Sequence, residues 1–156
     1  MPFPSFKFSG WRINKSDSTL DVVYDDTAVA AVSTGGILTK SAAAGIGYAT
    51  GAGGAVTQAT SASTAVTLNK PCGQITTVAL TTAAAAEEAF VVNNSLVDAN
   101  DVIAVSTTYA GGGKPIVFVT NVGAGVFTIN ISNVAAAAAL DAVLVINFAV
   151  IKSVAA

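Results

Sequence analysis

The segment VFTINIS, residues 126 to 132, decides the fold class because it alternates apolar and polar side chains from Phe127 onward. Phe127, Ile129 and Ile131 share one side of an extended chain, and the residues between them are polar. Strict alternation with period two is typical of a β-strand with one buried face. We therefore predict a strand here whose three apolar side chains point into a core.

Seven further segments resemble this one, being short, rich in Val, Ile, Thr and Phe, and bounded by turn-forming residues. The predicted strands are Ala55–Thr60, Thr64–Asn69, Gln74–Leu80, Glu88–Asn94, Asp101–Tyr109, Ile116–Asn121, Val126–Ser132 and Val143–Ile151. Breaks such as KPCG (70–73), VDAND (97–101), AGGGKP (110–115) and VGAG (122–125) lie between them. The pattern predicts an all-β domain over residues 47–156, a single β-sandwich or jelly roll of about eight strands.

Three segments test this prediction. The last strand, VLVINFAVI (143–151), is apolar on both faces, so it should be central in its sheet or covered by a partner. Two alanine runs, TTAAAAEEAF (81–90) and NVAAAAALDA (133–142), favour helix by propensity but are too short to stand alone. We predict that both runs are loops or single turns.

Residues 1–46 differ in composition and are predicted to form an extended N-terminal arm, in which DVVYDD (21–26) and AVAAVS (28–33) can pair as a small hairpin. The start of the arm concentrates aromatic and basic side chains. These candidate partner-binding residues are Phe3, Phe6, Phe8, Trp11 and Arg12. They could stack single-stranded bases, but without a wider basic surface we favour an anchor that buries the aromatic rings on a neighbouring subunit.

The overall charge is low for a globular chain. Charged residues make up 10% of the 156, net charge is −2, and no charged residue occurs from Ser41 to Asn69; ordinary domains carry about 25%. The scattered basic residues give no electrostatic footprint for nucleic acid. Mean hydropathy is +0.66, but the longest apolar stretch, Pro115–Leu140, alternates and contains three asparagines. We therefore predict neither nucleic acid nor membrane as a partner.

Residue chemistry also argues against an enzyme. The chain has no histidine, which removes the usual nucleophilic triads and the commonest zinc ligand. GGGKP (111–115) does not complete a phosphate loop because proline follows Lys114, and GIGYAT (45–50) has Thr50 where a dinucleotide fingerprint needs its third glycine. The glycine-rich string at 47–54 is better explained by glycines that permit close backbone packing. DAND (98–101) lacks the spacing of a calcium loop and is better explained as a capped turn. We predict no catalytic, cofactor-binding or metal residues, and Cys72 as a small turn or core residue.

What remains is a protein whose surface lacks charge. A free monomer of this composition would have little repulsion against self-association. Small, uncharged side chains are well suited to surfaces that neighbours cover, because no ion has to be desolvated. The composition therefore favours a subunit of a large assembly.

Two segments support that interpretation. GYATGAGGAVTQATSASTAVTLNKPCGQITT (47–77) and the ending VINFAVIKSVAA (145–156) resemble a block of small virion structural proteins of tailed bacteriophages, which include capsid decoration, or cement, proteins. The resemblance implies a protein made in the host cytoplasm that binds the major capsid protein and other copies of itself on the outer surface of the phage head. An alternative is a head-fibre or tail-fibre module that binds host-surface glycan, with Tyr48, Tyr109 and Trp11 stacking on sugars.

Overall fold

The computed structural model describes residues 10–14, 19–24, 27–33, 36–39 and 45–155. It divides the chain into two compact units, Met1–Gly47 and Tyr48–Ala156. Within the described residues all regular structure is β and no helix occurs.

The first unit contains a four-stranded antiparallel sheet. Its strands, in the order β1-β2-β3-β4, are β1 Gly10–Asn14, β2 Thr19–Tyr24, β3 Thr27–Ser33 and β4 Gly36–Thr39. The two segments expected to form a hairpin lie in β2 and β3, which pair with each other. Around them the sheet has two more strands than the predicted arm with one hairpin.

The second unit contains eight strands, as predicted. They are β5 Gly53–Thr57, β6 Val66–Thr67, β7 Cys72–Ala79, β8 Glu87–Asn93, β9 Val102–Tyr109, β10 Pro115–Gly123, β11 Val126–Asn133 and β12 Val143–Ile151. Each corresponds to one predicted segment, with ends shifted by up to three residues. Both alanine runs contain loop residues between strands rather than helix.

These strands form two mixed sheets, β5-β7-β12-β9 and β10-β11-β8-β6. Each sheet has one parallel pair, β5 with β7 and β6 with β8, and its other pairs are antiparallel. We call them the β12 sheet and the β11 sheet after their central strands. The central position of β12 confirms the expectation drawn from its two apolar faces.

One apolar core is shared by the two sheets. Phe127, Ile129 and Ile131 of β11 are fully buried, as predicted, and they belong to one cluster with Ile146 and Phe148 of β12. The rings of Phe127 and Phe148 meet with centroids 5.5 Å apart and planes tilted by 56°, an ordinary geometry for aromatic pairs. The inward side chains of the two sheets therefore pack against each other.

Glycine allows the close approach of β5 to β7. A Cβ at Gly73 would lie 2.6 Å from Leu68 Cδ2 and 2.8 Å from the Gly54 carbonyl oxygen, and one at Gly54 would lie 2.9 Å from Leu68 Cδ1. No side chain fits at such distances. The glycine-rich string thus ends in a tightly packed parallel strand pair, which agrees with the packing interpretation of its glycines.

Candidate functional site

The predicted anchor residues lie mostly outside the described part of the chain. Phe3, Phe6 and Phe8 fall outside the described residues. Trp11 and Arg12 belong to β1, the edge strand of the first sheet, where they pair with Val22 and Asp21. The anchor therefore stays a prediction from the sequence.

In the second unit the charged residues are confined to the loops and strand ends. One end carries three carboxylates and one lysine, a net charge of −2: Glu87, Glu88, Asp141 and Lys114. The opposite end carries two lysines and two carboxylates, which balance: Lys70, Lys152, Asp98 and Asp101. We call these the acidic end and the balanced end. Between them, no strand position facing outward carries a charge except Glu87, the first residue of β8.

The acidic end is held together by a buried asparagine. Asn133 is fully buried, and its Nδ2 donates to the carbonyl oxygens of Thr82, Ala83 and Ala138 at 3.1, 3.1 and 2.8 Å. Its Oδ1 accepts from the backbone N–H of Lys114 at 3.1 Å and of Ala135 at 3.2 Å. One side chain therefore ties the loops before β8, before β10 and before β12 to the end of β11.

The carboxylate of Asp141 has a structural role at the same end. Its Oδ1 accepts from the backbone N–H of Gly112 at 2.6 Å and from the Tyr109 hydroxyl at 3.3 Å. A Cβ at Gly111 would lie 2.3 Å from this oxygen, so a side chain at position 111 would displace the carboxylate from these hydrogen bonds. Glu88, the inward-facing member of the neighbouring acid pair, accepts a hydrogen bond from the Thr82 hydroxyl. These acids fix loops and do not converge on a common point.

At the balanced end, Lys152 fastens the segment after β12 to the loop between β8 and β9. Its Nζ lies 2.7 Å from Asp101 Oδ2 and 2.5 Å from Asp98 Oδ2. Asp101 has no exposed side-chain surface and also accepts from the backbone N–H groups of Asp98 and Ser153. The hydrogen bond from Lys152, followed by that from the Asp98 N–H, lowers the pKa of Asp101, and the two carboxylates raise the pKa of Lys152. DAND is therefore a capped turn, as expected, and Lys152 pairs with both of its carboxylates.

An open groove of about 510 Å³ lies beside this turn. It is lined by Tyr48, Pro71, Ser95, Leu96, Val150 and Lys152. Tyr48 donates its hydroxyl hydrogen to the Val150 carbonyl, which fixes the ring over the end of β12. Tyr109 instead pairs with Leu144 at the beginning of β12, roughly 20 Å away at 3.3 Å per residue. Tyr48 and Tyr109, two of the residues proposed to stack on sugars, thus lie at opposite ends of the unit.

The outer face of the β12 sheet carries no charged residue at its outward-facing strand positions. Strand pairing arranges its side chains in rows across the sheet. The central row carries Ala55, Gln74, Asn147 and Ser106, and the Gln74 amide donates to Asn147 Oδ1 at 3.1 Å. The row on its acidic side carries Thr57, Thr76, Val145 and Thr108, and the row on its balanced side carries Gly53, Cys72, Ala149 and Ala104. Cys72 is half-buried and unpaired.

The outer face of the β12 sheet is not flat. A shallow depression of about 220 Å³ lies between β9 and β12, with Ala104, Ser106, Asn147 and Ala149 among its lining residues. Larger apolar side chains flank it at both ends of β12, where Val143 is 47% and Ile151 is 55% exposed. Val102, the partner of Ile151 on β9, is 54% exposed. The middle of the face is therefore small and polar, and its two ends are apolar.

The outer face of the β11 sheet is also nearly uncharged. Its edge strand β10 exposes Ile116 and Phe118, and β8 exposes Val91. Between them β11 presents Thr128, Asn130 and Ser132 outward. The alternation in the sequence predicts that these strands have an inner and an outer face. The near absence of charge from both outer faces is visible only once the outward positions are known, although the residues between the buried positions already carry that signal.

In the described residues no group of three metal-binding side chains occurs, and no described helix is long and apolar enough to cross a membrane. Comparisons with family models, curated proteins and solved structures found no match for this chain.

Proposed function

We propose that this chain is a non-enzymatic structural protein of a phage virion, a decoration protein that binds the major capsid protein lattice and stabilises the head. The observation that carries the proposal is the confinement of charge to the two ends of the second unit. Folding does not require an outward-facing strand position to be uncharged, and designed soluble domains carry about 25–35% charged residues on their surface. Surfaces that pack against neighbours gain by leaving charge out, because ions would have to be desolvated.

The two-sheet unit fits this role as a β-sandwich. Two four-stranded sheets share one core, and each sheet includes a parallel pair, which favours a mixed sandwich over an antiparallel jelly roll. A rigid unit of this kind exposes two broad faces and needs no groove to make contacts. Many identical contacts of modest strength stabilise a shell through mass action, since they form only with the assembled lattice.

The N-terminal aromatic residues remain the proposed anchor to the capsid protein. Each buried aromatic side chain contributes roughly 1.5–3 kcal/mol before ordering costs. Replacing Phe3, Phe6 and Phe8 by alanine should therefore weaken attachment to particles and leave unfolding of the second unit unchanged. Unchanged attachment of the triple variant would remove the anchor from the proposal.

The test of location is mass spectrometry of separated heads and tails from the phage that encodes the chain. Decoration predicts the protein in the head fraction, in a copy number that scales with the capsid protein. Its release by mild denaturant should lower the thermal stability of DNA-filled heads. Finding the chain only in tails would overturn the proposal.

One observation favours glycan binding as a second candidate function. The groove at the balanced end combines the exposed ring of Tyr48 with the Ser95 hydroxyl and the Lys152 stem, and sugar rings stack on aromatic faces. Binding on a glycan array that free sugar competes, and that Tyr48→Phe retains but Tyr48→Ala loses, would support this function. An array without signal would leave decoration as the proposal.

A further inference from the structure

We propose that the outer face of the β12 sheet is a dimer interface, on which a second copy of this chain stacks face to face with its strands antiparallel. The inference goes beyond the proposed function, because it concerns contacts between copies and not contacts with the capsid. It rests on the order of the side-chain rows about Asn147. The outward-facing residues of β12 are, in chain order, Val143, Val145, Asn147, Ala149 and Ile151.

A two-fold axis along the central row brings that row onto its own copy. Gln74, Asn147 and Ser106 would then meet the same residues of the second copy. Amide and hydroxyl groups both donate and accept hydrogen bonds, so identical groups can pair across the axis. An isologous interface requires this self-complementarity.

The same axis lays the two flanking rows over each other. The row of Val145 consists of β-branched side chains, and the row of Ala149 consists of glycine, cysteine and alanine. Each β-branched row therefore meets a small row, once on either side of the axis. Large side chains against small ones are what close packing of two sheets needs.

The apolar side chains at the two ends of β12 also meet across the interface, each end lying over the opposite end of the second copy. Positions 143 and 151 are each four residues from Asn147, so Val143 of each copy lies over Ile151 of the other. Both are about half exposed in the single chain. Their burial would supply the apolar contribution at both ends of the interface.

Charge favours the antiparallel arrangement. Asp141 lies two residues before β12, whereas the other charges of the acidic end, Glu87, Glu88 and Lys114, lie at strands of the β11 sheet. Stacking with strands parallel would bring the Asp141 carboxylates of the two copies to the same end of the interface, and the antiparallel stack keeps them a strand length apart. Like charges brought together across an interface are unfavourable, so the antiparallel stack is preferred.

The area is sufficient for a modest dimer. Four strands at about 4.8 Å spacing and about eight residues at 3.3 Å give roughly 500 Å² for each copy, or roughly 1,000 Å² in total. That is near the lower limit of specific interfaces. We therefore expect a dimer that forms reversibly, with a dissociation constant on the order of micromolar.

The experiment uses sedimentation velocity of the full chain over about 1–500 μM, the range that brackets this affinity. Asn147→Asp keeps the acceptor for Gln74 and places two carboxylates together on the axis, so it should weaken the dimer about 100-fold or more. The control is Asn121→Asp, the same change on β10 of the other sheet, where the residue is exposed. It should dimerise like the unaltered chain.

A charge-reversal pair tests the two-fold axis itself. Asn147→Asp and Asn147→Lys should each be monomeric, and an equimolar mixture should form heterodimers, because only in this arrangement does residue 147 meet residue 147. A monomeric unaltered chain throughout the range, unchanged dimerisation of Asn147→Asp, or a mixture that stays monomeric would overturn the proposal. A chain found on heads that does not dimerise would overturn this inference alone, and a dimer not found on heads would overturn only the decoration proposal.

Discussion

Strands β11 and β12 hold the same position in their sheets, yet they differ on the outside. Inward, both present large apolar side chains that form the shared core, and β11 adds the buried amide of Asn133 at its last position. Outward, β11 presents Thr128, Asn130 and Ser132, whereas β12 presents mostly apolar or small residues around Asn147. The inner pattern is what folding requires. If the proposed contacts with neighbours are right, the outer difference reflects what each sheet meets beyond its own fold.

The largest effect should come from removing an inner side chain. Phe127→Ala deletes a fully buried ring that contacts Phe148, and we expect a loss of about 3–5 kcal/mol in the free energy of unfolding. The outward neighbour on the same strand, Thr128→Ala, should cost less than about 1 kcal/mol. Chemical denaturation of both variants measures the contrast between inside and outside. Equal losses would show that the outer side of β11 is as tightly constrained as the inner side.

A second large effect should come from the buried amide at the acidic end. Asn133→Ala removes the partner of the Ala138 carbonyl and of the N–H groups of Lys114 and Ala135. The Thr82 and Ala83 carbonyls lose one partner but keep the N–H groups of Leu140 and Ala86. Unsatisfied buried groups cost about 1–3 kcal/mol each before relaxation or water entry. We expect a net loss of about 3 kcal/mol. The matched control is Asn130→Ala on the outer side of β11, which loses one hydrogen bond to Thr120 and should cost about 1 kcal/mol. A loss no larger at 133 than at 130 would mean that the loops hold their positions without this side chain.

The turn at the balanced end should give a smaller, pH-dependent effect. The pKa of Asp101 is lowered in the folded chain, so its contribution is complete above its ordinary pKa, near 4, and is lost as pH falls through the folded value. The pKa of Lys152 is raised, so its contribution is complete below about pH 10 and is lost as pH rises through the folded value.

The variant Asp101→Asn tests the loss of stability at low pH that we expect from the Asp101 carboxylate. The difference in unfolding midpoint between the unaltered chain and the variant should be constant from about pH 5 to 9 and should shrink below about pH 4. Asp98→Asn serves as the comparison, since the side chain of Asp98 is 72% exposed and solvent screens its ion pair. A difference that does not change with pH would assign the effect of Asp101 to packing instead of to its charge.

The sequence predicted the buried faces of the strands well, because a strand with one buried face alternates apolar and polar residues. VFTINIS identified Phe127, Ile129 and Ile131, and the turn residues separated all eight strands. Pairing could not be predicted in the same way. Which strand lies beside which depends on contacts distant in the chain, such as Gln58 N–H to the Thr76 carbonyl at the end of β5, and no local pattern specifies them. The role of Asn133 was likewise hidden, since its partners come from three loops that only the fold brings together.

The smallest effect on stability should come from placing charge on the outer faces, and this prediction decides what those faces mean. Ala89→Lys on the β11 sheet and Ser106→Lys on the β12 sheet both alter exposed positions. A lysine there can extend into water, so each variant should unfold within about 0.5 kcal/mol of the unaltered chain. The measurement belongs at protein concentrations well below the expected dimer dissociation constant, because association would add its own free energy. If each lysine lowers the free energy of unfolding by less than about 1 kcal/mol, folding does not explain why the outer faces lack charge. That result would support the explanation that neighbours cover these faces. If either costs as much as Phe127→Ala, the faces are constrained by folding itself, and the step from an uncharged surface to a covered one fails.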